Sequence, residues 1–574
     1  MNQTLNGLIG RLSISCIHSS SMVATQGLFS LALATTAVRA TSPQVQLGNT
    51  TLIGRDVTLL NQDFFGGIPY AEPPLGALRF QRPVLKTSLD TTDSEFNASN
   101  FGLSCLQSDL PRSEISEDCL TINVFRPSGV ASNASLPVMF WTYGGGFYVG
   151  SSNRFNASAI VAQSVARGTP VIYVSFNYRL GPLGFPQGQE AADRKALNLA
   201  LSDQIAALTW VQENIGAFGG DKDRVTIFGE SAGAIMTAIQ LLNPDISKFA
   251  RAAILQSGSA ATALTYGPLH RQVDWDNFVA GVPGCENLAW TDNTFECLRS
   301  VNTTAIFDGL VKLFPWSPTI DGMGGFMPEL PSLLFAKGIF SKIPFIAGDD
   351  LDEGTVFTQP SYNYTTELIE SVIMANFSPP AVELVSESQV KKAVAQLVAL
   401  YPDIPALGSP FNTGNDTFGL SPGYKRITAV IGDLTFQSQR RFWMQTASNA
   451  GVETYGYLFT QPQPENPPFF GGKTHSFVSK WLMVQKFSTF MEVCKMQLHL
   501  TLCWVAAIID YWVSFATSLT PNDGKGVSRP TWDQYTPQNQ VLIQLNGDNL
   551  TLIPDNYRKE QIDFINSMPV TFHH

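Results

Sequence analysis

The chain has 574 residues, 44% of them hydrophobic and only 14% charged, a balance that supports a large buried core and excludes a disordered or fibrous polypeptide. Its formal net charge is −11, its pI is near 5.1 and it has no basic run, so the electrostatic footprint of a nucleic-acid-binding protein is absent. No internal period of about 20–50 residues recurs, which excludes repeat architectures.

Residues 27–37 form an apolar run of signal-peptide length, and Val38-Arg39-Ala40 offers small residues for cleavage after Ala40. Arg11 is the positive charge ahead of it, and Met22 is an alternative start. Residues 1–40 are therefore expected to be a signal peptide and 41–574 one secreted domain. Sequons at Asn49, Asn97, Asn133, Asn156, Asn302, Asn363, Asn376, Asn415 and Asn549 agree with an extracellular glycoprotein. Once Cys16 leaves with the signal, the other cysteines fall into close pairs, 105/119, 285/297 and 494/503. Such spacing suggests local disulfide loops, although six cysteines allow about fifteen connectivities.

In chain order, residues 64–76 are dense in Pro and Gly and read as extended structure and turns. Strands follow at 121–125 and 137–142, the second running into Tyr143-Gly144-Gly145-Gly146-Phe147. Without side chains, those glycines can turn their N–H groups toward a substrate oxygen at close range, which makes Gly145 and Gly146 candidate oxyanion donors. A strand at 170–176 and a helix-periodic segment at 196–218 come next, the latter stopped by Gly219-Gly220-Asp221.

Residues 224–236 then read as a β-branched strand, a turn with a serine between two glycines, and an apolar helix. With 46 glycines in the chain, a bare G-x-S-x-G has about one chance in four of arising by accident. The strand–turn–helix context is what makes Gly229-x-Ser231-x-Gly233 a nucleophile elbow, with Ser231 as nucleophile and the Ala232 N–H as a further oxyanion donor. A second copy, Gly419-Leu420-Ser421-Pro422-Gly423, fails chemically because Pro422 has no N–H to donate, so Ser421 reads as a turn residue.

Downstream, a strand at 252–255 ends in Gln256-Ser257-Gly258. Another, at 343–348, ends in the acid cluster Asp349-Asp350-Leu351-Asp352-Glu353, at the strand end where α/β sheets carry their chemistry. A strand at 455–459 leads through a Pro-rich loop to His475. Residues 500–519 are apolar but contain Asp510 and aromatics at helical spacing, so they read as a buried helix, and no stable membrane insertion is expected. Apolar strands alternating with helices predict a large, mostly parallel sheet with helices on both faces.

Several of these stretches together resemble the type-B carboxylesterase/lipase family, which includes fungal lipases and cholinesterases. They are Phe65-Gly66-Gly67-Ile68-Pro69-Tyr70-Ala71, Glu117-Asp118-Cys119-Leu120, the 144–147 loop, Asn177-Tyr178-Arg179-Leu180-Gly181, residues 218–233, Gln256-Ser257-Gly258 and Asp352-Glu353-Gly354-Thr355. The resemblance implies an α/β-hydrolase fold, a Ser231–Glu353–histidine triad and disulfides Cys105–Cys119 and Cys285–Cys297. It also implies a Ser257 hydroxyl bonded to the acid. Two histidines, His475 and His499, are compatible with the triad order, and His475 matches the family position. Such a site hydrolyses a small-molecule ester through an acyl-enzyme and needs no metal or cofactor.

Two features depart from the family pattern. Residues 476–506, with Cys494, His499 and Cys503, do not follow it. The first disulfide loop holds only residues 106–118 where the family's lipases carry a long lid, so a preference for soluble or short-chain esters is expected. The competing readings are a lipase for longer chains, a non-catalytic adhesion module on the same fold, and an α/β-hydrolase peptidase. The adhesion relatives usually lack part of the triad; glutamate as the acid disfavours the peptidase.

Overall fold

The structure, a computed structural model, describes residues 42–57, 60–89, 94–263, 266–310, 316–377, 385–462, 466–471, 475, 500–547 and 549–573, with the backbone alone at 500–504. The signal segment, Cys494, His499 and the Cys503 side chain lie outside the described residues.

Eleven of the described strands form one sheet: β1 Arg55–Val57, β2 Gln62–Pro69, β3 Thr121–Pro127, β4 Leu136–Thr142, β5 Ile172–Phe176, β6 Gly220–Glu230, β7 Ala252–Gln256, β8 Phe345–Asp350, β9 Thr454–Phe459, β10 Val541–Leu545 and β11 Thr551–Pro554. Their spatial order is β11-β10-β9-β8-β7-β6-β4-β5-β3-β2-β1. All neighbours from β10 through β9, β8, β7, β6 and β4 to β5 are parallel, and the flanking strands are antiparallel. The central strands are apolar along their length because helices cover both faces, so a strand such as β7, Ala-Ala-Ile-Leu-Gln, is buried at every residue. Register is continuous across the centre: Phe140 pairs with Ile227, Ile227 with Ala253, and Ala253 with Phe345.

This order puts the C-terminal ends of β4, β6, β7, β8 and β9 side by side on one edge of the sheet. Each candidate site segment follows one of those ends.

The expected elements are present, with some differences. The Pro/Gly-dense stretch 64–76 is extended and then turning, as expected: it begins within strand β2, whose register against β3 shifts between Phe65 and Ile68, and continues beyond Pro69 as irregular structure. The Gly66-Gly67 pair sits in that irregularity, and a Cβ at Gly66 would meet the Phe64 ring at 2.2 Å. The helix Leu199–Asn214 passes into a 3₁₀ turn, Ile215–Phe218, and stops at Gly219 with φ 85°. The apolar C-terminal segment is a helix, Leu500–Ser518, and its buried Asp510 is paired with Arg167 and Arg529. No helix among the described residues is long and apolar enough to cross a membrane. Cys105–Cys119 and Cys285–Cys297 are disulfide-bonded.

The loop closed by Cys105–Cys119 is tied down along its length. Gln107 makes a reciprocal pair with the Gly150 backbone, Nε2 to O and N to Oε1, both at 2.9 Å. Asp109 pairs with Arg154, Arg112 with Asp308, and buried Glu117 with Arg79. The result is a short strap anchored at four points, to Gly150, Arg154, Asp308 and Arg79.

Candidate active site

Ser231 follows β6 with φ 52° and ψ −128°, a conformation that non-glycine residues rarely adopt. Two backbone bonds hold it there. Its N–H donates to Gln256 O at 2.9 Å, and its carbonyl accepts from Ile235 N at 2.9 Å in the helix Ala232–Gln240. The bracketing glycines are required by contact: a Cβ on Gly229 would lie 2.5 Å from the Gly233 carbonyl carbon, and one on Gly233 2.1 Å from Thr142 O. The turn is thus wedged between β4 and its own helix, which leaves the serine side chain at the strand tip, half-buried.

The loop after β4 packs against the same turn. A Cβ on Gly144 would stand 2.9 Å from the Ser231 Cβ, so this backbone passes directly beside the serine. Gly145 and Gly146 have φ 120° and 60°, open to glycine and strained for other residues. Gly145 O accepts from the amides of Tyr148 and Val149, closing a tight turn that carries both glycines. Ala232 is the first residue of its helix, where an amide has no partner within the helix and the dipole is positive.

Glu353 opens a 3₁₀ turn just beyond β8 and is fully buried. One of its oxygens, Oε1, accepts from the Asp350 amide at 2.7 Å, and Oε2 meets His475 Nδ1 at 2.6 Å. The opposite ring nitrogen, Nε2, is buried without a hydrogen-bond partner among the described residues and lies 3.7 Å from Glu230 Oε1, one residue from the serine. The imidazole therefore joins the acid on one side and faces the elbow on the other. A bond from Ser231 Oγ to Nε2 is not among those described, and catalytic contacts of this kind are commonly long without substrate. Burial pulls the imidazole pKa down, but Glu353, its hydrogen bond, Glu230 and Asp349 outweigh it and hold the pKa above its ordinary value.

Ser257 sits at the tip of β7, with φ 53° and its amide on Gly348 O at 2.8 Å. Among the described residues Glu353 bonds the Asp350 amide and the imidazole, and a carboxylate has room for a further donor such as the Ser257 hydroxyl that the resemblance implies. Ser421 directly precedes the helix Pro422–Gly432, where its hydroxyl accepts from the Tyr364 amide.

Sequence reasoning missed two contributors, Glu230 and Phe436, whereas Phe357 reads from the sequence equally as a pocket wall or as core. Glu230 lay inside the elbow motif, yet only the fold shows its carboxylate reaching the histidine. Phe357 and Phe436 pack their rings 5.1 and 4.8 Å from the imidazole centroid, from segments about eighty residues apart in sequence, and nothing local signals that meeting. The stem of the histidine loop is also pinned to the acid turn. Thr355 Oγ1 donates to Phe470 O at 2.7 Å, and the Tyr424 hydroxyl donates to Phe469 O at 3.3 Å.

A parallel sheet with a strained serine after its sixth strand, an acid after the eighth and a histidine after the ninth defines the α/β-hydrolase class. Comparison with known proteins agrees. The model of the carboxylesterase family matches residues 41–565. Lipase 2 of Geotrichum candidum is 31% identical over 94% of this chain and 98% of its own length. Secreted lipase 1 of Botryotinia fuckeliana is 32% identical over 92% of this chain and 93% of its own. The crystal structure of Aspergillus niger EstA superposes with a TM-score of 0.77 at 24% identity, covering 93% of this chain and 99% of that one. The chain belongs to the carboxylesterase family and is a carboxylic ester hydrolase.

Proposed function

We propose that the protein is a secreted serine esterase acting on soluble or short-chain carboxylic esters through an acyl-enzyme, with Ser231, His475 and Glu353 as its triad. The observation that carries the assignment is the 2.6 Å contact between His475 Nδ1 and buried Glu353, with Nε2 turned toward the serine elbow. In this reading Nε2 takes the Ser231 proton as the hydroxyl attacks the ester carbonyl. Glu353 holds the proton on Nδ1 and stabilises the imidazolium, and Glu230 adds a second negative charge beside the ring. The Gly145, Gly146 and Ala232 amides receive the oxyanion, and each such donor is worth about 10²–10³ in rate. The imidazolium returns its proton to the departing alkoxide, and water then releases the acid by the same steps in reverse order. No metal or cofactor takes part.

The fixed strap supports the substrate preference. Held by Gln107, Asp109, Arg112 and Glu117, residues 106–118 have little freedom to open and close over a lipid-binding groove. Half-exposed Phe357, beside the imidazole, is a wall of the substrate pocket. Secretion is supported by the disulfides and by exposure of every sequon asparagine except half-buried Asn156. A second reading, a lipase for long acyl chains, is favoured by the names of the relatives. Turnover of p-nitrophenyl esters from acetate to palmitate separates the two, with and without an emulsified interface. We expect the highest kcat/KM at four carbons or fewer (roughly the reach of a small pocket) and no jump above the solubility limit. Activation by the interface on long chains would establish the lipase instead.

A further inference from the structure

The helices Pro422–Gly432 and Ser438–Asn449 form one run interrupted by a single π-turn, Asp433–Gln437. Such a turn carries an extra residue and rotates everything after it by about 100° relative to an unbroken α-helix. It is less favourable than the regular helix, so something must hold it. Asp433, fully buried, is paired with Arg558 at 2.6 Å and accepts from the Tyr401 hydroxyl at 2.8 Å. At the other end, Arg440 Nη2 donates to the Tyr557 oxygen at 2.7 Å. A guanidinium can only donate, so the single Tyr557 proton is directed at Gln437 Oε1, and the two are hydrogen-bonded. That fixes the amide of Gln437 with Nε2 toward the Asp350 carbonyl, 2.8 Å away.

The two residues at the end of the turn reach the candidate site. Gln437 holds the C-terminal end of β8 through Asp350, whose own N–H orients Glu353. Phe436, buried, lays its ring against the His475 imidazole and stacks on Phe357 at 5.4 Å. We propose that the π-turn is a positioning device for the His475–Glu353 pair, with Phe436 setting the plane of the imidazole and Gln437 fixing the strand end that aims the carboxylate. An unbroken α-helix would carry both side chains elsewhere, which explains why the costly turn is kept. The inference rests on the triad proposed above.

Its test uses Phe436→Leu, which keeps the position apolar but removes the ring and part of its volume, and Tyr557→Phe, which frees the Gln437 amide while leaving the Arg440–Asp555 pair in place. Kinetics on a soluble p-nitrophenyl ester, a pH profile and the thermal midpoint are measured for each. For Phe436→Leu, kcat should fall about ten- to a hundredfold with KM little changed, the cost of a reacting group misplaced by up to about 1 Å. Its acid limb should move to higher pH, because the burial that holds the imidazole pKa down is relaxed while Glu353, Glu230 and Asp349 still face the ring. Tyr557→Phe should lower kcat several-fold at unchanged KM. Parental kcat and acid limb in both folded variants, with only the thermal midpoint lowered, would reduce the turn to packing and overturn the proposal. A parent protein that turns over no ester would instead sink the triad, and this inference with it.

Discussion

Gly233→Ala tests the elbow at its tightest point. The new Cβ would stand 2.1 Å from Thr142 O, 2.6 Å from Tyr143 O and 2.7 Å from the Thr142 carbonyl carbon. All three are backbone atoms at the end of a central strand, so no rotamer change relieves the contact. Cβ atoms essentially never come closer than 3.0 Å to a neighbour, so strand and helix must part by about 0.9 Å. Overpacking of this kind costs about 1–3 kcal/mol in stability. The larger effect falls on catalysis. The displacement separates the Ser231 side and the Ala232 amide from the Gly144–Gly146 loop, and a misplacement near 1 Å costs about 10²-fold in rate. The assay is kcat on a soluble ester, normalised to active sites by covalent titration, with a thermal melt to show that the variant is folded. A folded Gly233→Ala protein within about twofold of the parent kcat would refute the elbow geometry.

The raised imidazole pKa predicts where activity begins. In the proposed mechanism neutral His475 is the base, so kcat/KM rises as pH passes through its pKa, and that limb should lie above the ordinary 6.5. In Glu353→Gln the largest raising influence is gone, so the limb should shift to lower pH while kcat falls about 10²–10⁴-fold; a limb that stays put would show that another group titrates. The Cys105–Cys119 disulfide closes a loop with a sequence separation of 14, and replacing both cysteines with serine should cost about 3 kcal/mol by chemical denaturation. The same change should leave KM for a short ester near the parental value if the strap is held by its ion pairs as well, whereas a large gain on long-chain esters would mean that the bridge alone restrains it.

How far the sequence reveals this site depends on whether the information is local. The elbow is local: strand, glycines and helix occupy thirteen consecutive residues, and the steric reason for each glycine is met within the motif or by β4 next to it. The Gly145–Gly146 turn and the acid cluster after β8 are legible for the same reason. β2 is harder, because Gly66-Gly67 looks like a turn and the bulge that absorbs it exists only against β3. The histidine carries almost no local signal, and its place came from chain order and family resemblance. Phe436, Gln437 and the C-terminal residues Asp555, Tyr557 and Arg558 were not legible at all. Their roles arise from buried pairs more than a hundred residues apart in sequence, such as Arg440 with Asp555 and Arg558 with Asp433.

The most direct measurement is the mass of the active-site peptide after reaction with an organophosphate ester, for the parent and for His475→Ala. The account predicts one adduct per chain, on Ser231, formed rapidly by the parent and at least about 10³-fold more slowly once the imidazole is gone. An adduct on another residue, or one that forms on Ser231 equally fast without His475, would contradict it.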